Sequence, residues 1–271
     1  MIDIPPRCEK GYGSQTQLLI ALPPGYSIIA MREFIHKRSI GRQAVSNEQD
    51  NQTPVSPELY TEDYFRNACE GYDEFNNSEG VHLSRRLSAS FELAEVVPGM
   101  NVLDVGCGRG EILRHCVALG ANAYGVDYAP VAVEMSKHVI DNIQGAAGHT
   151  GVALCDAKKL PFPTGFFDRV LMFDVVEHLH PWELHAAMLE VRRVLKDDGR
   201  FIIHTAPNVW YDRYAYPVVR LTRRLLGQGA KYPKDPRRFL VDVNEHVHVN
   251  EQSWVSMSQA LKKAGFKGTV W

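Results

Sequence analysis

Residues 102–110 read Val-Leu-Asp-Val-Gly-Cys-Gly-Arg-Gly. An apolar strand, Asn101 to Val105, runs into alternating glycines at Gly106, Gly108 and Gly110, and an amphipathic helix follows from Glu111 to Leu119. Glycine at such a turn permits positive φ and lets a ligand approach backbone that a Cβ would shield. A strand, a glycine turn and a helix in this order mark a nucleotide-type cofactor site at the carboxyl ends of a parallel sheet. Taken alone, the same turn also fits a purely structural role.

The spacing narrows the cofactor. A dinucleotide fingerprint places its last glycine or alanine three residues after the second glycine. Here that position is Glu111, and the third glycine arrives one residue early. A diphosphate seeks the positive end of a helix free of competing anions, so Glu111 disfavours a nicotinamide dinucleotide. S-adenosylmethionine carries no phosphate and a net positive charge, and it tolerates carboxylates such as Asp104. Downstream spacing supports this choice. A second strand, Ala123 to Val126, ends in Asp127, about 20 residues past the glycine turn, where a carboxylate can accept hydrogen bonds from both ribose hydroxyls. Tyr128 and a helix from about Pro130 follow. A third strand, Val152 to Cys155, ends in Asp156-Ala157, suited to an adenine edge. A fourth, Arg169 to Phe173, leads into Asp174-Val175-Val176-Glu177-His178. Four strands thus bring polar groups to one end of a sheet, as a ligand crevice at a topological switch point requires.

These segments, with Leu160-Pro161-Phe162, Phe167-Asp168 and Leu195-Lys196-Asp197-Asp198-Gly199, resemble the successive motifs of class I S-adenosylmethionine-dependent methyltransferases. They are most similar to the small-molecule branch that includes the ubiquinone-biosynthesis O-methyltransferases. The likeness spans roughly residues 100–206 and continues more loosely to Phe266. It implies a doubly wound, mostly parallel α/β sheet and S-adenosylmethionine as cofactor. The implied cofactor site comprises Asp104, Gly106, Cys107, Gly108, Gly110, Asp127, Tyr128, Asp156, Ala157, Phe173 and Asp174. The glycine turn would hold the methionine part, Asp127 the ribose, and Asp156-Ala157 with Tyr128 the adenine. A non-catalytic cofactor-binding scaffold is the alternative of another class; the intact turn and acids argue against it.

Methyl transfer from a sulfonium is an in-line displacement, so the protein chiefly aligns a nucleophile with the methyl group, a service that can supply ~7–11 kcal/mol. A hydroxyl acceptor gains typically ~10²–10⁴-fold from a base. His178, directly after the fourth strand, is the candidate, because an ordinary imidazole titrates near ~6.5. O-methylation of a small molecule is therefore expected, with N- or C-methylation of a natural product, sugar or lipid-linked intermediate as the alternative. His180 and His185 read as surface residues. His246 and His248 alternate, so in an extended segment both would face the acceptor. With Glu177 and His178 they are the metal candidates, yet no compact ligand motif supports them, and no metal is expected.

The 271 residues are 45% hydrophobic with a formal net charge of −2. This suits one globular domain plus an extension, and the absence of a basic excess argues against nucleic-acid binding. Cys8, Cys69, Cys107, Cys116 and Cys155 show neither metal nor disulfide spacing, which points to a reducing cytoplasm. Cys107 fills a turn that needs a small residue, so packing is its expected role. No apolar run reaches the ~18 residues of a membrane span, and Leu18 to Met31 lacks the basic start of a signal peptide.

Residues 1–55 read as a weakly ordered extension, with residues 56–271 as the catalytic domain. Ser56-Pro57-Glu58 caps a helix with Tyr60, Tyr64, Phe65 and Ala68 on its apolar face, and a second helix spans roughly Val81 to Val96. Tyr64 or Tyr72 could close over the cofactor, although core packing is the simpler role for each. Pro181 starts a helix ended by Gly199, Phe201 to Thr205 makes the fifth strand, and a last helix runs from Glu251 to Ala264. Phe266 to Trp271 supply one short strand. The antiparallel pair that normally closes such a sheet is then one strand short. The gap implies a truncated chain, a second copy forming a homodimer, or repair by the N-terminal arm. Asn208 to Asn250 is too long for a plain connection. It carries eight basic residues (Arg213, Arg220, Arg223, Arg224, Lys231, Lys234, Arg237, Arg238) against four acidic ones. An amphipathic helix from Val218 to Leu226 is expected within it. This insert reads as a lid for an anionic or lipid-linked acceptor, as a peripheral membrane contact, or as a solvated helix.

Overall fold

The computed structural model describes residues 28–30, 52–143, 148–205, 211–232, 234 and 246–270. Its centre is a six-stranded sheet in the order β1-β6-β5-β2-β3-β4. The strands are β1 (Ile28–Ala30), β2 (Asn101–Val105), β3 (Asn122–Asp127), β4 (Thr150–Leu154), β5 (Phe167–Phe173) and β6 (Leu195–His204). The strands β2 to β6 run parallel, and β1 alone is antiparallel, paired with β6 through Ile28–His204, Ile29–Ile203 and Ala30–Ile202. From β2 the chain builds outward through β3 and β4, then returns to the other side for β5 and β6. The switch point therefore lies between the carboxyl ends of β2 and β5, where a doubly wound sheet opens a crevice.

Helices cover both faces because the central strands bury side chains on both. Against one face lie α3 (Arg85–Glu92), α4 (Glu111–Ala118) and α5 (Pro130–Asp141), with Leu87, Phe91, Ile112, Leu113 and Val117 packed on Val102, Leu171 and Ile202. Against the other lie α6 (Pro181–Val194) and α8 (Trp254–Lys263), whose Leu184, Met188, Val191, Met257 and Leu261 meet Leu103, Val170 and Ile203. Two short helices, α1 (Glu62–Asn67) and α2 (Tyr72–Ser78), precede these, and α7 (Tyr216–Leu225) lies in the long insert.

Several sequence-based boundaries need correction. Ser56 does cap a helical start at Pro57, but the element is one 3₁₀ turn ending at Leu59, and Thr61 caps α1 separately. The helix expected over Val81–Val96 is confined to Arg85–Glu92, because Ser84 accepts from Leu87 N and fixes the entry. Gly199 does not stop α6. That helix ends at Val194, and β6 begins at once with Leu195, Gly199 lying inside the strand beside an irregular register between Phe167 and Arg169. Residues 266–270 form no strand; Phe266 and Val270 instead pack into the core, and Trp254 Nε1 donates to Val270 O at 2.6 Å. Of the three ways to complete the sheet edge, the structure shows the N-terminal one: β1 comes from the segment expected to be an extension. Of the insert, residues 208–210, 233 and 235–245 lie outside the described residues.

Candidate functional site

The carboxyl ends of β2, β3, β4 and β5 border one cavity of about 130 Å³, closed over by residues from the N-terminal side of the chain. Asp104, Gly106, Cys107, Gly108, Asp127, Tyr128, Asp156, Ala157, Phe173, Asp174 and His178 all line it. The expected site residues are thus brought together, with one exception.

Gly110 does not line the cavity. At φ +86° it begins α4, and a Cβ there would come within 2.8 Å of Ser136 Cα, so its job is close packing of α4 on α5. Gly106 is constrained by the crevice itself. Its φ is +75°, and a Cβ would collide with Val175 Cγ2 from the β5 side of the switch point. Only glycine satisfies both the dihedral and the contact.

Asp127 is 8% exposed and pinned by backbone: Gly108 N donates to Oδ2 at 3.0 Å and Ala129 N to Oδ1 at 2.9 Å. Burial nevertheless raises its pKa against the pull of these N–H groups. Asp104 is buried more deeply. Desolvation, with Glu111 and Asp127 nearby, pushes its carboxyl up to about 8. Cys107 is a buried, protonated thiol, its pKa raised well above normal by burial, and it sits 3.4 Å from Ser136 Oγ. That agrees with a packing role.

Two expected contributions change on inspection. Glu111 is not a bare anion: Arg109 Nη2 bonds its Oε1 at 2.5 Å, and Arg109 also donates to Phe65 O at 2.8 Å and to Glu70 O. The pair is buried and electrically neutral, so Glu111 cannot by itself repel a diphosphate. Asp127 remains beside the glycine turn, while Asp104, pushed up to about 8, carries its proton at neutral pH. Asp156 lies on the lining but is partnered by Lys158 Nζ at 2.9 Å, which also reaches Glu183 at 2.7 Å.

Asp174 holds φ +54°, a left-handed conformation that costs of order 1–3 kcal/mol in a non-glycine residue. Both carboxylate oxygens are engaged, Oδ2 by Arg86 at 3.0 Å and Oδ1 by His204 Nδ1 at 2.8 Å. Burial alone would raise its pKa; Arg86 and His204 outweigh that and hold it below the ordinary value. The strained residue turns the chain sharply into a 3₁₀ turn, Val176–His178, which aims His178 at the cavity.

His178 also lines the cavity. Its Nδ1 lies 3.1 Å from Tyr60 Oη, and its ring meets the Tyr60, Tyr64 and His248 rings edge to face, His248 at 4.9 Å between centroids. Burial, then the neighbouring His248, lowers its pKa to about 3. The premise of an imidazole titrating near neutrality therefore fails: the ring is desolvated and neutral. Of the alternating pair, His246 is exposed and only His248 arrives, because residues 246 and 247 are helical rather than extended. His180 instead starts α6, where its N–H donates to Glu183 Oε2, and its Nε2 lies 3.1 Å from Thr53 O. Tyr64 lines the cavity, whereas Tyr72 is 37% exposed and does not.

Sequence reasoning missed Val55, Tyr60, Phe65, Glu70, Arg109, Lys158 and Glu183 on the lining. Their common signal is faint. Tyr60 and Phe65 read equally well as core, and the charged residues stand in turns or, for Glu183, in the first turn of α6, where no spacing marks them.

The profile of the family described as "Methyltransferase domain" matches residues 103–203. The ubiquinone/menaquinone biosynthesis C-methyltransferase UbiE of Cupriavidus metallidurans is 30% identical over 209 residues, covering 73% of this chain and 81% of that one. The chain belongs to the class I S-adenosylmethionine-dependent methyltransferases. Among solved structures, the cyclopropane synthase MmaA2 from Mycobacterium tuberculosis matches with a TM-score of 0.53 at 18% identity, covering 80% and 77% of the two chains. The mycolic acid cyclopropane synthase CmaA1, complexed with SAH and CTAB, matches with a TM-score of 0.54 at 19% identity, covering 79% and 76%. Those two likenesses establish the fold. This methyltransferase thus uses S-adenosylmethionine as methyl donor and acts on a small molecule. No helix among the described residues is long and apolar enough to cross a membrane.

Proposed function

We propose that this enzyme transfers the sulfonium methyl group to a hydroxyl of its acceptor, with His178 as the catalytic residue that meets that hydroxyl. The observation that supports this reading is the placement of His178. It faces the same cavity as Asp104, Asp127 and the glycine turn, inside a ring of Tyr60, Tyr64 and His248. The methionine part lies along Gly106–Gly108 beside Asp104, the ribose on Asp127, and the adenine between Tyr128 and Asp156-Ala157. Phe173 closes the floor, and Asp174 shapes the turn. The sulfonium methyl then points toward His178, and the aromatic wall excludes water from the displacement.

A second reading, methylation at carbon, is favoured by one observation: the matched relatives are C-methyltransferases by name. An activated ring carbon beside a phenol would occupy the same place. Incubation with labelled S-adenosylmethionine and a panel of phenols, catechols, sugars and lipid-linked intermediates separates the two, because the product is either an ether or a new C–C bond. His178→Ala should lower kcat by about 10²-fold through lost positioning of the acceptor, while S-adenosylmethionine binds as before; a wild-type rate would return His178 to a structural role.

The helix α7 of the insert leaves its apolar side in solvent. Val218, Leu221 and Leu225 there are 61%, 59% and 80% exposed, and Arg220, Arg223 and Arg224 lie among them. This surface suits peripheral contact with an anionic lipid layer that dissolves an apolar acceptor. The lid reading draws no support from residues 213–230 and 232, none of which lines the cavity.

A further inference from the structure

We propose that Glu177, His178 and His248 bind a divalent transition-metal ion at the acceptor end of the cavity. Each offers a ligand atom, and these atoms all lie within 4.8 Å of one another. Glu177 and His178 are consecutive in the 3₁₀ turn after β5. His248 is delivered by a distant segment, clamped to that turn where Val249 N and Asn250 N donate to Glu177 O at 2.8 and 3.0 Å. Sequence reading finds no compact ligand motif because the third ligand is assembled by the fold.

Outer contacts support the set. Thr205 Oγ1 donates to Glu177 Oε2 at 2.8 Å, and Tyr60 Oη sits 3.1 Å from His178 Nδ1. Partners of this kind orient ligating side chains. Two imidazoles and one carboxylate suit Zn²⁺ or Mn²⁺ better than Ca²⁺, and three protein ligands leave coordination positions for acceptor oxygens. His178 and Tyr60 line the cavity, so the cluster borders the place of the acceptor.

The proposal rests on the preceding placement of the acceptor end and gives His178 the part of a ligand. A hydroxyl of the acceptor coordinates the ion and loses its proton to solvent. The resulting oxygen forms the new O–CH₃ bond as the S–CH₃ bond breaks. That bond's electron pair stays on sulfur, giving neutral S-adenosylhomocysteine, and the metal keeps its oxidation state. Acceptors with two adjacent oxygens, such as catechols, are the best fit.

The test is calorimetric titration of Zn²⁺ and Mn²⁺ into the full chain after chelator treatment and dialysis, with metal content measured by mass spectrometry. One equivalent should bind. His248→Ala and Glu177→Gln should each weaken binding at least tenfold, while His246→Ala, at an exposed neighbour, should not. Co²⁺ bound to the wild-type chain should give visible absorption that is lost in His248→Ala, a readout independent of turnover. No bound equivalent, or binding unchanged in His248→Ala, overturns the proposal. S-adenosylmethionine titrated into the same stripped protein should bind normally; its failure would strike the cofactor reading instead.

Discussion

The two ends of the cavity are built differently. The cofactor end comes from consecutive strand ends: Asp104 to Gly108 at the end of β2, Asp127 at the end of β3, Asp156 after β4, each fixed by the parallel register and its backbone hydrogen bonds. The acceptor end is a convergence of remote pieces: Tyr60 and Tyr64 from before the sheet, His178 after β5, and His248 from just before α8. One end is carried by a local code that a sheet must repeat to bind its cofactor. The other is carried by side chains that only the finished fold brings into contact, and on the proposed function the substrate is chosen there. Changes at the first end should therefore cost stability or cofactor affinity. Changes at the second should cost turnover and leave cofactor binding intact.

The largest effect is expected from Arg109→Ala. It strands the buried Glu111 carboxylate and frees the carbonyls of Phe65 and Glu70 that tie the N-terminal helices to the glycine turn. Removing one partner of a buried pair typically costs about 3–5 kcal/mol. Chemical denaturation would show it, and a loss under 1 kcal/mol would mean the clamp is not structural. Asp127→Ala should weaken S-adenosylmethionine binding roughly 10²- to 10³-fold, the worth of two hydrogen bonds to a charged group, and unchanged affinity by calorimetry would remove the ribose assignment. Tyr60→Phe probes the other end. Losing the hydroxyl beside His178 should lower kcat roughly 3- to 10-fold, one hydrogen bond's worth, with cofactor affinity unaltered; a cofactor defect would erase the distinction between the ends.

A separate effect concerns pH. Asp104 titrates near 8 in the folded chain and near 3.8 unfolded, so between these values only the folded state keeps the proton. Its stabilising contribution is full below 3.8 and is lost as pH rises through about 8. The melting temperature of the cofactor-free protein should therefore fall between about pH 4 and 8 and level off above, and Asp104→Asn should flatten that slope.

How much was legible follows the same division. The five parallel strands and the glycine turn were readable because period, strand-end polarity and glycine spacing are local properties of the chain. Asp127 was readable because its place is set by one strand and one register. The edge strand β1 was invisible: Ile28-Ile29-Ala30 carries too little pattern, and only the unpaired edge of β6 gives it a role. His248 was mispaired with His246, because alternation holds in a strand and the segment is partly helical. Arg109 and Lys158 were overlooked because, beside their near partners Glu111 and Asp156, the contacts with Glu70 O and Glu183 that hold them on the lining come from distant elements. The pKa of His178 could not be read at all, since it depends on burial among rings that sequence does not place together.

The central claim is that a cationic sulfonium cofactor lies across the ends of β2, β3 and β4, with its ribose on Asp127. A crystal structure of the full chain with S-adenosylhomocysteine tests it most directly. The account predicts both ribose hydroxyls within hydrogen-bond distance of the Asp127 carboxylate and the thioether sulfur facing His178. A ribose held elsewhere, with Asp127 still bonded only to Gly108 and Ala129, would contradict it.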